Sequence, residues 1–337
     1  MMKIRCAVIG CGRIGCGFDD NSNIIRTHAG SYHANKTTSL VSLCDVDESK
    51  LAKYGKKYRV SSLYTDSLEM FKNEKIDCVS ICTLVDTHLE LVKQAAKNNV
   101  KAIFLEKPIS DSLINAKKII EICRSNNIKL AVDHQRRFNP FYQSIRRVIE
   151  QKKLGKIQFV NAYYGSGIAN TGSHLFDVLR LFFGEIVSIK SQPAKINTIN
   201  PTDPNIDATI RFKTGTTCQL HALDYDKYAI LEIDILGTLG RIKLDLISDQ
   251  IQYFKTTKGL VYNTLAESKL NLKKPSKTPI QLAIQNLIET IIFPKEPLCT
   301  GYDGYKSIEL ITAATISSKC QKQVNFPLKN SYNITSK

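Results

Sequence analysis

The sequence predicts an α/β protein, with a doubly wound parallel sheet first and a second domain of successive strands after it. Three observations predict this. Over about the first 130 residues, short β-rich runs alternate with helical patterns, as repeated βα units require. Those runs are nearly continuous in apolar residues, as expected of strands covered by helices on both faces. Beyond Pro140, strand-like runs follow one another across short turns. A chain of 337 residues outgrows one small core, and the predicted division is 1–127 and 128–337.

The strands of the first part are "IRCAVIG", "SLVSLCDV", "CVSICTL", "KAIFLE" and "KLAVDHQ". Between them, "HLELVKQAAKNN" and "INAKKIIEICRSNN" carry apolar residues at three- and four-residue spacing, which predicts helices. The first strand runs into "GCGRIG", with Gly10, Gly12 and Gly15. Between a strand and a helix, glycines so spaced give a tight turn and let a pyrophosphate reach backbone N–H groups. A glycine turn without a ligand is the plainer reading. Arg13 and Ile14 complete the turn, and a phosphate contact by Arg13 leaves NADP open. The second strand ends at Asp45, where an acid accepts hydrogen bonds from an adenosine ribose and favours NAD. A helix N-cap is the other reading of Asp45. It lies farther from Gly15 than the usual ~20 residues, and "GFDDNSNIIRTHAG" accounts for the excess as a loop interrupting the first helix.

In "KAIFLEKPIS" an apolar strand runs directly into Glu106, Lys107 and Pro108. Proline confines the residue before it to extended backbone angles, so the Lys107 side chain is aimed reproducibly. A second chemical stretch is "IANTGSHLFDVLRL", whose spacing puts His174, Asp177 and Leu181 on successive turns of one helix face. The second domain continues with strand-like runs "KIQFVNAYYG", "DATIRFK", "TTCQLHALDY", "AILEIDILG" and "GRIKLDL".

Composition narrows the classes of function. The chain is 43% apolar and 23% charged, and stretches such as "VSICTLV" fall far short of the roughly 20 residues a membrane helix needs. The start "MMKIRCAVIG" leads into glycines, not a small-residue cleavage site, so no signal peptide is expected. Ten cysteines lie scattered, without a Cys-x-x-Cys pair, which fits a cytoplasmic protein better than a disulfide scaffold. No ligand quartet has zinc spacing, and no metal is expected. The net charge of +16 sits largely on helix faces; its densest run, "SKLNLKKPSK", lacks interleaved aromatics, so no nucleic-acid partner is expected. An anionic small molecule would gain from the same field.

The glycine fingerprint, "LEKPIS", "NTGSHLFDVLRLFFGE", "EIDILGTLGRIKL" and the closing "TGYDGYKSIELITAATISSKCQKQVNFPL" together resemble the Gfo/Idh/MocA oxidoreductases, in family order along nearly the whole chain. The resemblance implies a Rossmann domain followed by an α+β domain with a large, open, mostly antiparallel sheet. One face of that sheet would cover the cofactor and the other would pair copies into a homodimer or homotetramer. The last helix is expected to pack back on the first domain. The resemblance also implies a cis Lys107–Pro108 bond, with Lys107 touching both substrate and cofactor and His174 acting as acid/base. Asn170 stands where the family often has aspartate; it can hold a substrate hydroxyl but cannot relay a proton. Asp177 is expected to orient His174 or to satisfy a buried polar group. Thr83 and His88 match positions near the nicotinamide ribose, although Leu84 replaces a usual proline. Arg137 matches a position that often faces the active site, with a helix-surface charge as the other reading. Implied overall is an NAD(P)-dependent dehydrogenase of a sugar or polyol, the sugar being nucleotide-linked or acidic, or a free inositol or aldose. An NAD-dependent glycoside hydrolase and a non-catalytic dinucleotide-binding regulator are the rival classes.

Overall fold

The computed structural model describes residues 3–196, 198, 200–273 and 275–328; within the basic run at 268–277, Lys274 lies outside them. The chain divides into two compact units, Met1–Asn139 with Pro275–Lys306, and Pro140–Lys274 with Ser307–Lys337. The first division therefore falls after Asn139 and not at 127. The strand at Lys129–Val132, already read in "KLAVDHQ" as one of the first series, pairs in parallel with the strand before it and so carries the first sheet past residue 127.

The first unit runs β1 (Ile4–Ile9), α1 (His28–Ala34), β2 (Thr38–Cys44), α2 (Glu48–Tyr58), β3 (Ser62–Tyr64), α3 (Ser67–Asn73), β4 (Cys78–Ile81), α4 (His88–Lys97), β5 (Ala102–Leu105), α5 (Leu113–Ser125) and β6 (Lys129–Val132). Its six strands are all parallel, in the order β3-β2-β1-β4-β5-β6. That is the doubly wound order, and the reversal of direction between β1 and β4 opens a crevice at the carboxyl ends of the strands. Val8, Ile81, Ile103, Phe104 and Leu105 are buried in the middle of this sheet. β4 and β5 are buried at every position, which is why both read as unbroken apolar runs.

The glycine turn does not open directly into a long helix. Cys16 N–H reaches Gly12 O at 3.0 Å and Phe18 N–H reaches Arg13 O at 2.7 Å, a single turn that breaks off in the expected excursion. The ladder then resumes far along the chain, where His28 N–H donates to Ile14 O at 3.2 Å and Ala29 N–H to Gly15 O at 2.9 Å. Thr27 caps α1 by accepting Gly30 N–H. α2 is capped by Asp47, whose carboxylate accepts Ser49 and Lys50 N–H, so Asp45 is not that cap.

The second unit begins with α6 (Pro140–Glu150), β7 (Ile157–Tyr164), α7 (Thr171–Phe183), β8 (Ile186–Pro193), β9 (Ile206–Phe212), β10 (Thr217–Ala222), β11 (Glu232–Gly237), β12 (Gly240–Asp245), β13 (Gln250–Thr257) and β14 (Thr264–Ser268). Next come α8 (Pro279–Ile292), which belongs to the first unit, then α9 (Gly301–Cys320) and β15 (Val324–Asn325). Nine strands form one sheet in the order β14-β13-β12-β11-β7-β10-β9-β8-β15, with β7 and β10 parallel and the other pairs antiparallel. Alternation marks one inward face, as in β9, where Ile206, Ala208, Ile210 and Phe212 are buried and Arg211 is exposed. α7 packs on β7 and α6. α8 buries Ile280, Ala283, Ile284, Leu287 and Ile288 and touches α1, β5 and β6. Among the described residues, no helix is long and apolar enough to cross a membrane.

Candidate active site

Parallel pairing brings the chemically interesting positions of the first unit to one edge of its sheet. Past the strand ends the backbone ladder continues: Gly10 N–H donates to Cys44 O (2.8 Å), Cys82 N–H to Ile9 O (2.7 Å), Glu106 N–H to Ile81 O (3.0 Å) and Asp133 N–H to Leu105 O (2.9 Å). Gly10, Asp45, Thr83, Glu106, Lys107 and Asp133 therefore all stand at or just beyond the carboxyl ends of β1, β2, β4, β5 and β6.

The three glycines of the turn do different things. Gly10 has φ +93, and a Cβ there would come within 2.6 Å of Cys82 O. A Cβ on Gly15 would lie 1.9 Å from Gly10 O, so only hydrogen allows this close approach. Gly12 is the exception: a Cβ would meet nothing within 4 Å. Packing does not explain a glycine there, whereas a ligand needing close approach to the backbone does, and the turn thus fits a dinucleotide pyrophosphate. Asp45 is pre-positioned beside it. One carboxylate oxygen accepts Cys11 N–H at 2.6 Å and the other accepts Asp47 N–H at 2.9 Å, leaving lone pairs for ribose hydroxyls. Arg13 is exposed, its guanidinium 4.7 Å from the Phe18 ring centroid. Ile14 is half-buried.

Lys107 follows β5, half-buried, and its bond to Pro108 is cis. Glu106 Oε2 accepts Lys107 N–H at 3.1 Å, and Oε1 lies 3.0 Å from His28 Nε2. Burial pushes the Glu106 carboxyl above its usual range. Thr83 exchanges a 2.6 Å hydrogen bond with the Thr87 hydroxyl. His88 is 1% exposed, with Nδ1 3.3 Å from Ile109 O and Nε2 3.3 Å from Thr83 O. Burial depresses its pKa. The ring ties the segment after β4 to the segment after Pro108, a bracing role that its sequence position alone did not reveal. Arg137 is neither a helix-surface charge nor exposed; it is buried and ion-paired with Asp303 at 3.1 Å.

In the second unit, Asn170 occupies the N-cap position of α7, exposed, with its Nδ2 donating to Ser166 Oγ at 3.3 Å. Asp203 fixes the loop ahead of that helix: its carboxylate accepts Ala169 N–H (2.8 Å) and Asn170 N–H (2.9 Å). His174 is half-buried on α7 and Asp177, one turn on, is buried.

Two residues of the first unit escaped the sequence reading. His28 lay inside the excursion "GFDDNSNIIRTHAG", and Asp133 lay in "KLAVDHQ" directly after an apolar strand. That placement matches those of Asp45 and Glu106, and it was the available signal. His28, Glu106 and Asp133 bring ligand-capable atoms within 4.8 Å of one another, the set among the described residues with metal-like spacing.

Residues 4–134 match a family described as oxidoreductases with an NAD-binding Rossmann fold, and residues 161–326 match the family's C-terminal alpha/beta domain. The chain is 24% identical over 334 residues to a D-apiose dehydrogenase of Paraburkholderia graminis, covering 91% of this chain and 86% of that one. It is 24% identical to the scyllo-inositol 2-dehydrogenase (NAD(+)) of Bacillus subtilis, covering 98% of each. Among solved structures, the WlbA dehydrogenase of Bordetella pertussis in complex with NADH and UDP-GlcNAcA superposes with a TM-score of 0.76 at 22% identity, over 97% of this chain and 100% of that one. With both halves matched in order, the chain belongs to the Gfo/Idh/MocA oxidoreductase family.

Proposed function

We propose that the protein is an NAD-dependent dehydrogenase that moves a hydride between nicotinamide and a secondary alcohol or ketone of a sugar or polyol. The observation that carries this reading is the Gly12 turn. It is open to an approaching ligand and stands on the same sheet edge as Asp45, Glu106 and Lys107, at the reversal between β1 and β4. Support for the substrate class comes from relatives named for apiose and scyllo-inositol, and from one solved with a nucleotide-linked sugar acid. The net charge of +16 suits an anionic sugar.

Bound NAD would supply the hydride acceptor. The chain's own work is to bind, orient and handle the proton. Gly10 and Gly15 hold the turn closed while Gly12 admits the pyrophosphate, and Asp45 takes the adenosine ribose. The Lys107 ammonium stabilises the alkoxide as the hydroxyl loses its proton. His174 accepts that proton as general base and returns it when a ketone is reduced. Asn170 holds a neighbouring hydroxyl.

The test is turnover, read as absorbance of reduced nicotinamide, with NAD and NADP against inositols, aldoses and nucleotide-linked sugars. On the substrate found, Lys107→Ala and His174→Ala are each expected to cost at least ~100-fold in kcat. Wild-type turnover in either variant removes that residue from the mechanism.

A further inference from the structure

Behind Lys107 the first unit buries a line of hydrogen-bonding groups for which the proposed hydride transfer has no use. The Tyr32 hydroxyl on α1 lies 2.9 Å from Ser80 Oγ on β4, and Ser80 Oγ lies 2.8 Å from His28 Nδ1. His28 Nε2 is 3.0 Å from Glu106 Oε1, and Glu106 Oε2 takes Lys107 N–H. At the end of β6, a carboxyl oxygen of Asp133 lies within 4.8 Å of Glu106, and Asp133 Oδ2, 3.9 Å from His28 Nε2, accepts from Gln135 Nε2 at 3.1 Å. Asp133 is 2% exposed, yet no donor among the described residues reaches its Oδ1.

Two carboxylates this close in a buried site strongly disfavour both being ionised. The partners decide which one keeps the proton. Glu106 collects the His28 ring and the Lys107 N–H and feels the Lys107 ammonium. Asp133 has one amide donor. Glu106 is then the anion and Asp133 the acid. A proton on the Asp133 carboxyl also lowers the cost of an Oδ1 that no donor reaches, since a neutral acid needs fewer donors than a carboxylate. Burial keeps the His28 imidazole neutral. Its Nε2–H points to Glu106, its Nδ1 accepts from Ser80, and Ser80 accepts from Tyr32, so every donor in the line is oriented toward one carboxylate.

We infer that Asp133 is a positioning residue that stays protonated at neutral pH, donates to Glu106 and, with His28, fixes Glu106 against the backbone of Lys107. The effect on catalysis rests on the role proposed for Lys107; the protonation state does not. A cation held by the same three residues is the competing arrangement, and it requires Asp133 ionised.

Infrared spectra of the full chain at neutral pH are expected to show a buried protonated-carboxyl C=O band that Asp133→Asn removes. Absence of the band from the wild type, or its persistence in the variant, overturns the inference even if no substrate is ever found. With a substrate in hand, Asp133→Ala is expected to lower kcat roughly tenfold with little change in KM. Asp133→Asn, isosteric and still a donor, is expected to restore kcat to within about threefold of wild type. An asparagine variant as damaged as alanine, or one equivalent of zinc in the purified protein, overturns it. Should alanine fail to fold, the asparagine variant and the spectrum still decide.

Discussion

Glu106 is a carboxylate surrounded by donors, and this determines what a minimal change there does. Replacing it by glutamine keeps the shape but turns an NH2 group toward either the His28 ring or the Lys107 N–H, both of which donate. One buried donor then loses its acceptor, at about 1–3 kcal/mol. Glu106→Gln is expected to lower the unfolding free energy by that amount, seen as a lower urea midpoint at unchanged slope, and an unchanged midpoint would show that the donors find other partners. His28 makes a pH-dependent prediction. Burial holds its pKa at about 4 against an ordinary 6.5, with Asp133 pulling the other way. The unfolded chain therefore binds the proton more readily between these values, and stability falls as pH drops from about 6.5 towards about 4. At 1.36 kcal/mol per unit the loss is roughly 3 kcal/mol. His28→Gln is expected to lose less stability over that window than the wild type, measured by urea unfolding near neutrality and near pH 4. The two acids facing the ring, Glu106 and Asp133, are raised by burial, so they lose stability in the opposite direction as pH rises. Since both remain in the variant, equal acid losses in the two proteins would refute the assignment to His28.

The turn between β1 and α1 separates folding from binding within one short segment. Gly15→Ala drives a Cβ into Gly10 O, and Gly10→Ala meets Cys82 O at a positive φ. Each is expected to cost roughly 3 kcal/mol or to prevent folding. Gly12→Ala meets nothing. It should melt within about a degree of wild type while binding NAD at least about tenfold more weakly by calorimetry, a loss of about 1.4 kcal/mol. Undiminished affinity in Gly12→Ala would remove the pyrophosphate from this turn. The sequence made this element legible because glycine spacing reports steric need directly. It did not show where the helix resumes: the bonds from His28 and Ala29 back to Ile14 and Gly15 span an excursion with no hydrophobic period. Strands show the same contrast. β1, β2, β4, β5 and β6 were readable as apolar runs, whereas three-residue β3 and the mostly exposed β14 carry too little apolar pattern to register. Asp133 was passed over because one acid after a strand looks like any turn residue until β6 is paired with β5.

The chain order and the compact units do not coincide, and this bears on how the molecule folds. Sequence reading placed a single cut at 127, because local patterns say nothing about segments that return from far away. The first unit instead takes in Pro275–Lys306. α8 supplies four large buried side chains, Ile280, Ile284, Leu287 and Ile288, packed where α1, β5 and β6 meet it. At about 1.5–3 kcal/mol each, they contribute roughly 6–12 kcal/mol of gross burial, comparable to the whole net stability of a domain. A fragment of residues 1–139 should therefore lack a cooperative unfolding transition and bind hydrophobic dye. Joining 275–306 to it through a flexible glycine–serine linker of about 20 residues should restore one sharp urea transition, along with NAD binding if the glycine turn is the site. Should 1–139 alone unfold as sharply and at the same midpoint as the linked version, α8 would be a surface ornament and the parallel sheet would be self-sufficient. The buried face of α8 argues the reverse: the nucleotide-binding unit is completed only after the second unit's long sheet has been synthesised.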